Sequence, residues 1–318
     1  MSQAPKTMRD VFLARLAERM RQRQDIALLS ADLGSPVLDS IRAEFPRRFI
    51  NVGIAEQNLV EVATGLALEG YHVFAYAIAA FITMRCFEAT RINLGILNQL
   101  KPLNVNLVGV GAGFSYDVSG PSHHCIEDLA LMRIIPGMQV LSLSCWTQAD
   151  GVPDHCLAVP GPKYIRMDSK PLPQVYAEGT AFQPVRGFTE VRRGERVCFV
   201  ATGIAVRNAL QAIDTWTGPE PAPGLIDCYN LNHLDEKGLL GLLAPYDSVI
   251  TVEEGLVGRG GLDGRVLSLL HEAGTTHQIG SIGIRDRYNF ELGGRLRLHR
   301  IWGMDPGGLT KAARGMLA

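Results

Sequence analysis

The sequence predicts an α/β protein with two domains, each a three-layer arrangement in which a mainly parallel sheet lies between helices. Short apolar segments alternate with helical patterns, which is typical of parallel strands joined by helices. This alternation occurs twice, on either side of a segment with three prolines and no periodicity. The chain has 318 residues, enough for about two domains. We therefore predict a first domain at 1–168, a linker at 169–187 and a second domain at 188–318.

The first domain begins with a helical pattern, in which apolar side chains recur from Met8 to Met20. The later predicted helices run from Ala55 to Gly70, over residues 82–98 and over the segment SHHCIEDLALMRII. The predicted strands are the segments DIALL, RFINV, HVFAYAI, NVNLVGVGAG and MQVLSLS, with a turn expected after HVFAYAI. Strands and helices in this order favour a parallel sheet that is covered on both faces.

The second domain repeats the pattern. Its predicted strands are RVCFVATG, APGLIDCYNL and DSVITVEE, and its predicted helices are AVRNALQAI and GLDGRVLSLLHEAG. The loop GRGGLDG lies between a strand and a helix as a dinucleotide-binding loop would, but it comes late in the chain and no ribose-binding acid follows it. We interpret it as an ordinary loop. The segment GGRLRLHR is interpreted as a solvated stretch, with a subunit contact or anion binding as the alternative.

Composition excludes several classes of protein. The formal net charge of -1 argues against a general nucleic-acid binder or membrane-surface binder. No apolar run reaches the roughly 18 residues of a membrane-spanning helix, and the polar N-terminus lacks the apolar region of a signal peptide. The six cysteines are scattered without a Cys-x-x-Cys pair, so we expect reduced thiols and a cytoplasmic location.

One acidic residue, Glu56, lies at the junction between a predicted strand and a predicted helix, in the segment RFINVGIAEQN at 48–58. No basic residue stands beside it in the sequence to neutralise it. Ligands of open parallel sheets bind beyond the carboxyl ends of the strands, next to helix N-termini. Two interpretations follow from position alone: the carboxylate faces a ligand, or it simply benefits from the partial positive charge of the first helical turn.

Longer segments resemble a known family. The segments RFINVGIAEQN, GLALEGYHVFAYAIAAF and GFSYDVSGPSHHCIEDLALMRIIPGMQV resemble the pyrimidine-binding domain of transketolases. The later segments VITVEEG, GRGGLDGRVLSLL, GIRDRY and WGMDPGGLTKAARGML resemble the transketolase C-terminal domain. The resemblance covers nearly the whole chain in the same order. Its most specific block, F-x-N/D-V-G-I-A-E-Q, is shared by transketolases and near relatives such as deoxyxylulose-phosphate synthases.

The resemblance implies thiamine diphosphate as the cofactor and gives Glu56 a catalytic role. In the family, the matching glutamate hydrogen-bonds the ring nitrogen of the cofactor's aminopyrimidine and shares a proton with it. The neighbouring amino group can then take the proton from the reactive thiazolium carbon, and the cofactor carries the carbanion chemistry. On this interpretation the cofactor itself is the partner that the acid lacks.

Four further residues receive roles from the resemblance. Phe81 matches the aromatic residue that stacks on the pyrimidine, with core packing as the alternative. Ile78 stands where the family usually has a second aromatic residue. His123 matches a histidine that faces the pyrimidine and the substrate, so proton relay is implied, with a structural histidine as the alternative. Asp32 matches an acidic position near the cofactor, although an aspartate after a strand is often a turn residue.

Substrate recognition departs from the family pattern. Ser119 stands where sugar-phosphate transketolases carry an aspartate before Gly-Pro-Thr-His, and Asp117 lies two residues earlier. Arg166 matches a phosphate-binding arginine, with an ion pair to Asp168 as the alternative. Because one phosphate contact is kept and another is lost, we expect Ser119, His123 and Arg166 to bind an unusual sugar or keto substrate.

A second polypeptide is also implied. The family binds magnesium and the diphosphate through a Gly-Asp-Gly signature followed by a distant asparagine, and no Gly-Asp-Gly occurs in this sequence. The chain therefore resembles the C-terminal half of a split transketolase, and we assign it no metal ligand of its own. We expect the Mg²⁺ ion to be bound mainly by a partner subunit, in a heterotetramer whose sites lie between subunits.

Two other functions stay open at this stage. The β subunit of a 2-oxoacid dehydrogenase shares the two-domain plan and the thiamine cofactor, although the VGIAEQN motif favours a transketolase. A non-catalytic binding module that kept the fold is the third interpretation, and the presence of Glu56, Phe81 and His123 together weighs against it. The adjacent residues His123, His124 and Cys125 suggest a metal site only weakly, because neighbouring side chains point in different directions.

Overall fold

The computed structural model describes residues 6–176, 180 and 182–317. Over these residues the chain forms a 6-stranded sheet followed by a 5-stranded sheet, with helices packed on them. This arrangement confirms the predicted α/β class with mainly parallel sheets. No described helix combines the length and the apolar character that crossing a membrane would require.

The first sheet is parallel throughout, with strand order β2-β1-β3-β4-β6-β5. Its central strands are fully buried because helices cover both faces, which explains their uninterrupted apolar sequences. The chain passes from β1 to β2 on one side and then to β3 on the other, so the direction of winding reverses next to β1. The strands are β1 Ile26–Ser30, β2 Phe49–Asn51, β3 His72–Ile78, β4 Val105–Val110, β5 Gln139–Ser142 and β6 Lys163–Met167.

Two helices of the first domain begin at side-chain caps. The Thr7 side chain accepts a hydrogen bond from the amide of Asp10 at the start of α1, and Ser35 does the same for Leu38 in α2. The segment between α5 and α6 is a π-helix, Thr90–Leu97. The α-helices are α1 Met8–Gln22, α2 Pro36–Glu44, α3 Glu56–Leu68, α4 Ala79–Met84, α5 Phe87–Ala89, α6 Asn98–Leu100, α7 Asp128–Arg133 and α8 Trp146–Ala158.

The second sheet has the order β11-β10-β8-β9-β7, and its edge strand β7 runs antiparallel to β9. The strands are β7 Phe188–Arg192, β8 Arg196–Ala201, β9 Gly224–Cys228, β10 Tyr246–Leu256 and β11 Gln278–Ile284. The helices are α9 Ile204–Asp214, α10 Glu236–Leu243, α11 Leu262–Glu272, α12 Arg295–Trp302 and α13 Pro306–Leu317.

Several predicted boundaries are wrong for identifiable reasons. The segment SHHCIEDLALMRII becomes helical only at Asp128, because its first half is a loop that returns towards β4 through a bridge between Gly113 and Cys125. The turn expected after HVFAYAI is helix α4. The sequence patterns miss α8, which contains Pro153, and the edge strand β7.

The loop GRGGLDG, at 258–264, leaves no helix N-terminus free for a phosphate. The carboxylate of Glu253 accepts the amide of Asp263 at 2.9 Å, in the first turn of α11. Asp263 in turn accepts the amide of Gly258 at 2.5 Å. The chain's own carboxylates therefore occupy the position that a dinucleotide phosphate would take, which agrees with the interpretation of an ordinary loop.

The two domains share buried polar contacts. Asp227 lies within the predicted strand APGLIDCYNL of the second domain, as the penultimate residue of β9, and is fully buried. It accepts the Ser144 hydroxyl at 2.5 Å and the Gln148 amide at 2.9 Å, both from the first domain. Tyr176 also donates to it. Burial raises the pKa of Asp227 to about 6, against the opposing effect of these hydrogen bonds. The folded state therefore favours the protonated form relative to the unfolded chain.

This shift predicts the sign of a pH effect. With a folded pKa of about 6 and an ordinary value of 3.8, Asp227 stabilises the fold most fully below pH about 4, and the contribution is lost as the pH rises to about 6. Asp227→Asn should remove this pH-dependent component, worth about 3 kcal/mol, from urea unfolding curves measured between pH 4 and 7. The exposed Asp150→Asn is the matched control, and equal pH profiles for wild type and Asp227→Asn would contradict the prediction.

Candidate functional site

The predicted site residues of the first domain share one edge of its sheet. Strands β2, β1 and β3 are neighbours, so the segments that follow them lie together beyond their carboxyl ends. Asp32 follows β1, Glu56 begins α3 after β2, and Phe81 lies in α4 directly after β3. This edge contains the reversal of winding next to β1, where ligands of open α/β sheets bind.

Glu56 is a buried carboxylate with a basic partner. It is the first residue of α3 and is 2% exposed. Its Oε2 accepts a hydrogen bond from Nη1 of Arg85 at 2.8 Å, across 29 positions of sequence. The interpretation that this acid lacks a basic partner is therefore wrong, because the fold brings one from α4's C-terminal end. The side chain of Arg85 is 50% exposed, whereas that of Glu56 is 3% exposed.

Phe81 and His123 complete a connected group of side chains. The guanidinium carbon of Arg85 lies 5.2 Å from the centre of the Phe81 ring, within the range of a cation–π contact. The His123 ring meets the Phe81 ring edge to face, with centres 5.3 Å apart. The Ser122 hydroxyl lies 3.1 Å from His123 Nδ1. We call Glu56, Phe81, Arg85 and His123 the Glu56 cluster.

The Glu56 cluster has the chemistry to hold an aminopyrimidine. Within the described residues, Oε1 of Glu56 has no hydrogen-bond partner, so it can accept one from a ligand. Phe81 is only partly buried and packs against Ala79, Ala80 and Cys125, which leaves part of its ring open to a ligand. A buried acceptor beside an aromatic ring fits a flat ligand that has a polar edge.

Asp32 and Ile78 stand at the margin of this group. Asp32 is exposed, has a positive φ of 55°, and exchanges hydrogen bonds with Asn51 at 2.9 and 3.1 Å. Among the described residues, no hydrogen bond or ring contact joins it to the Glu56 cluster, so its geometry matches the turn interpretation. Ile78 is partly buried and immediately precedes α4.

The loop that leads to His123 contains the two residues predicted from the family's substrate motif. Ser119 is exposed, and its amide donates to the carbonyl of Tyr116 at 3.0 Å. Asp117 is buried and pairs with Lys170 at 2.5 Å. Its other carboxylate oxygen accepts the amide of Arg295 at 2.8 Å. Ser119 is therefore available to a substrate, whereas Asp117 is committed to a contact with the second domain.

Arg295, in the segment GGRLRLHR, is largely enclosed. Its guanidinium bridges Glu254 at 2.5 Å and Asp168, and its side chain is 10% exposed. Four positions along α12, His299 contacts the same Glu254. Burial alone would raise the pKa of Glu254, but Arg295 and His299 together hold that pKa well below its usual range. The prediction of a solvated stretch is wrong for Arg295 and His299, which belong to a buried interdomain ion network, whereas Arg297 and Arg300 are exposed.

The ion network reaches the loop before His123. Oε2 of Glu254 accepts the amide of Phe114 at 3.2 Å, and the Ser115 hydroxyl donates to Asp168 at 2.8 Å. We call Glu254, Arg295, Asp168 and Asp117 the interdomain clamp. Through it the second domain fixes the backbone at 114–117, a few residues from the histidine of the Glu56 cluster.

Arg166 does not face the site. Its side chain is 1% exposed and pairs with the fully buried Asp128 at 2.7 Å. Its Nη2 donates to the carbonyls of Cys125 at 3.2 Å and Glu254 at 2.9 Å. The structure thus contradicts a substrate-phosphate contact, because the guanidinium is enclosed and already paired. The alternative pairing with Asp168 is also wrong, since Arg295 takes that carboxylate.

The adjacent residues His123, His124 and Cys125 do not converge on a metal. His124 is 2% exposed and packs against Phe114, while Cys125 is fully buried and burial raises the pKa of its thiol. In the part of the chain that the structure describes, no group of three or more His, Cys, Asp or Glu side chains is placed to hold a metal ion. The donor set at the site is one carboxylate and one imidazole, which does not suit magnesium.

The interdomain clamp yields a stability prediction. Arg295→Met should lower the free energy of unfolding by about 3–5 kcal/mol, because it leaves Glu254 and Asp168 buried without their cation. Arg300→Met, at an exposed position of the same helix, is the matched control and should change it by less than about 0.5 kcal/mol. Urea unfolding at pH 7 makes the measurement, and equal effects of the two substitutions would contradict the clamp.

The buried Arg166 yields a second prediction. Asp128→Asn should cost about 3–5 kcal/mol of unfolding free energy, because the arginine then stays charged in an apolar interior. Adding Arg166→Met should recover part of that loss, since it removes the unpaired charge. A double-mutant cycle by urea unfolding measures the coupling, and strictly additive losses would argue against a structural ion pair.

Comparisons with known proteins agree with this geometry. The family described as the transketolase pyrimidine binding domain matches residues 4–173, and the transketolase C-terminal domain matches residues 188–308. A putative transketolase C-terminal section from Methanocaldococcus jannaschii is 31% identical over 309 residues, which cover 96% of this chain and 95% of the relative. A subunit of an apulose-4-phosphate transketolase from Phocaeicola vulgatus is 30% identical over 307 residues, with 96% of each chain covered.

A solved structure is similar over the same length. It is a split-gene transketolase described as an inactive beta4 tetramer, with a TM-score of 0.85, 31% sequence identity and 98% of each chain covered. The pyrimidine-binding family match covers more than half of this chain. The two relatives are 31% and 30% identical to it over nearly their full length. The chain therefore belongs to the transketolase family and carries that family's pyrimidine-binding and C-terminal domains.

Proposed function

We propose that this chain is the pyrimidine-binding subunit of a split transketolase that depends on thiamine diphosphate. With a partner subunit, it transfers a two-carbon ketol unit from a ketose donor to an aldehyde acceptor. The observation that carries the proposal is the Glu56 cluster, in which a buried carboxylate with one oxygen unpaired among the described residues lies beside a partly open aromatic ring. Membership of the transketolase family supplies the reaction class.

Three residues of the cluster have distinct tasks. When bound, thiamine diphosphate supplies the nucleophilic carbon that carries the two-carbon unit. Glu56 holds and shares a proton at the pyrimidine ring nitrogen, and Phe81 provides an apolar face that excludes water. His123, edge-on to Phe81 and beside Ser122, is placed to move a proton between substrate and solvent. Ile78 and Asp32 border the site, and Ser119 is exposed to the substrate.

The second half of the site belongs to a partner. We assign the magnesium and the diphosphate to a subunit that carries the Gly-Asp-Gly signature, in a heterotetramer with two copies of each chain. Apolar side chains that flank the cluster support this assignment: Ile54 is 76% exposed and Val118 is 79% exposed. Exposed apolar groups around a functional site are typical of a surface that a partner covers.

The substrate is proposed to be a less common sugar or keto compound. Arg166, which matches a phosphate-binding arginine, is enclosed, and Asp117 is held in the interdomain clamp. This leaves Ser119 and His123 as the substrate-facing groups of the motif. Relatives described as apulose-4-phosphate transketolase subunits match over nearly their whole length, with 27% or 30% identity. Efficient ketol transfer from xylulose 5-phosphate by the reconstituted pair would remove the reason to propose an unusual substrate.

The two competing functions are less well supported. Family membership and the VGIAEQN wording favour a transketolase over the β subunit of a 2-oxoacid dehydrogenase, which would require a lipoyl-carrier protein. A non-catalytic module gives no reason for a buried acid with an unused acceptor oxygen. Free cysteines in the described residues, all buried, support the further proposal of a reducing, cytoplasmic location.

The proposed role of Glu56 predicts a large catalytic loss. In the complex reconstituted with the Gly-Asp-Gly subunit, Glu56→Gln should lower kcat for ketol transfer by about 10²–10⁴-fold, because the amide cannot share a proton with the pyrimidine. Glu69→Gln, at an exposed position at the end of the same helix, is the matched control. Steady-state kinetics with xylulose 5-phosphate and a panel of aldehydes makes the comparison.

The outcomes separate the competing functions. Unchanged kcat in Glu56→Gln with an active wild-type complex would reject the cofactor-activating role. Absence of ketol transfer by the wild type, combined with oxidative decarboxylation of a 2-oxoacid in the presence of a lipoyl carrier, would favour the dehydrogenase subunit. Retained activity of Glu69→Gln shows that a loss in Glu56→Gln does not come from the change of charge alone.

A further inference from the structure

Arg85 makes both of the contacts that the proposed function assigns to the aminopyrimidine. It donates a hydrogen bond to the Glu56 carboxylate at 2.8 Å. Its guanidinium also lies 5.2 Å from the centre of the Phe81 ring. The guanidinium is flat, delocalised and rich in donors, so it resembles a protonated aminopyrimidine in shape and in hydrogen-bonding character.

The burial of Glu56 explains why the chain without cofactor needs a cation beside this carboxylate. Glu56 is 2% exposed, and a buried carboxylate without a hydrogen-bonded partner is strongly destabilising. The partial charge of the α3 N-terminus helps, but it is much weaker than a full positive charge. No described cation other than Arg85 pairs with Glu56, so this arginine alone neutralises it.

The position of Arg85 also allows it to leave. Its side chain is 50% exposed, in contrast to Arg166 at 1% and Arg295 at 10%, which are enclosed by their carboxylates. Arg85 follows the last residue of α4 and lies before the short helix α5, where no long helix restrains it. Because this side chain is long and half exposed, its guanidinium can leave Glu56 and be hydrated at a small cost in free energy.

We propose that Arg85 is a placeholder for the cofactor: its guanidinium occupies the pyrimidine subsite in the chain without cofactor and is displaced from Glu56 and Phe81 when thiamine diphosphate binds. This inference rests on the proposed function and adds a residue that controls cofactor affinity. The displaced ion pair lowers the apparent affinity, because only the fraction of molecules with an open subsite can bind. In return, the subunit stays folded before it meets cofactor and partner.

The first experiment uses the full chain alone. Urea unfolding of wild type, Arg85→Met, Glu56→Gln and the double variant should show that the double variant loses less than the sum of the two single losses, because they share one ion pair. Arg47→Met removes a positive charge on the opposite edge of the sheet, before β2, and serves as the control. If Arg85→Met does not fold, Arg85→Gln is used in its place, because glutamine keeps a hydrogen-bond donor towards Glu56.

The second experiment measures affinity by titrating thiamine diphosphate with magnesium into the complex with the Gly-Asp-Gly subunit. Arg85→Met should lower Kd by about fivefold to tenfold, since the subsite no longer has to be vacated. Arg47→Met should leave Kd unchanged. An unchanged Kd in Arg85→Met overturns the placeholder, and a raised Kd overturns it by showing that the arginine helps to hold the cofactor.

The two experiments separate this inference from the proposed function. If the wild-type complex does not bind thiamine diphosphate at all, the proposed function fails and the placeholder fails with it. If the wild type binds and Arg85→Met binds equally well, only the placeholder fails. Additive losses in the first experiment would also overturn it, because the ion pair would then not exist in solution.

Discussion

The interdomain clamp depends on one guanidinium. Arg295 stands between two buried carboxylates, Glu254 of the second domain and Asp168 of the first, while its backbone amide holds Asp117. Without the cation, these acids would repel one another in a region of low dielectric, and the domains would lose one of their buried polar contacts. Because Phe114 donates to the same Glu254, the arrangement also determines where the loop towards His123 begins. The position of this loop thus depends on how the domains dock.

Among the described residues, three arginines pair with buried acids, and the accessibility of each arginine differs with its role. The Glu254–Arg295 and Asp128–Arg166 pairs are enclosed on both sides, as befits permanent structural contacts. The Glu56–Arg85 pair has a buried acid but a half-exposed base. The two enclosed pairs resist exchange, because opening either of them would leave two charges buried without water. Opening the Glu56–Arg85 pair would leave only the Glu56 carboxylate buried without a partner. Exposure of the cation therefore distinguishes a structural pair from an exchangeable one.

The sequence predicts features that depend on local patterns, but it does not predict ion pairs between residues far apart in the chain. The α/β class and the position of Glu56 at the start of a helix follow from apolar periodicity and from one specific block of sequence. The partner of Glu56 lies 29 positions away and that of Glu254 41 positions away, and no local pattern points to either. The one available hint is that Arg85 stands four residues after Phe81, the spacing of neighbours along a helix. Arg166 shows the opposite error, because a family match cannot reveal that an arginine is enclosed.

The charges around the site agree with the proposal that a second polypeptide binds the diphosphate. A diphosphate needs cations, and three basic groups of this region are already committed: Lys170 to Asp117, Arg295 to Glu254 and Arg166 to its own buried acid. What remains open at the sheet edge is an acceptor oxygen and an aromatic ring, which suit the neutral, flat end of a cofactor and would repel its anionic end. Under the proposed function the phosphate end belongs to the partner's surface, and the exposed apolar residues beside the cluster are where we propose that this surface docks.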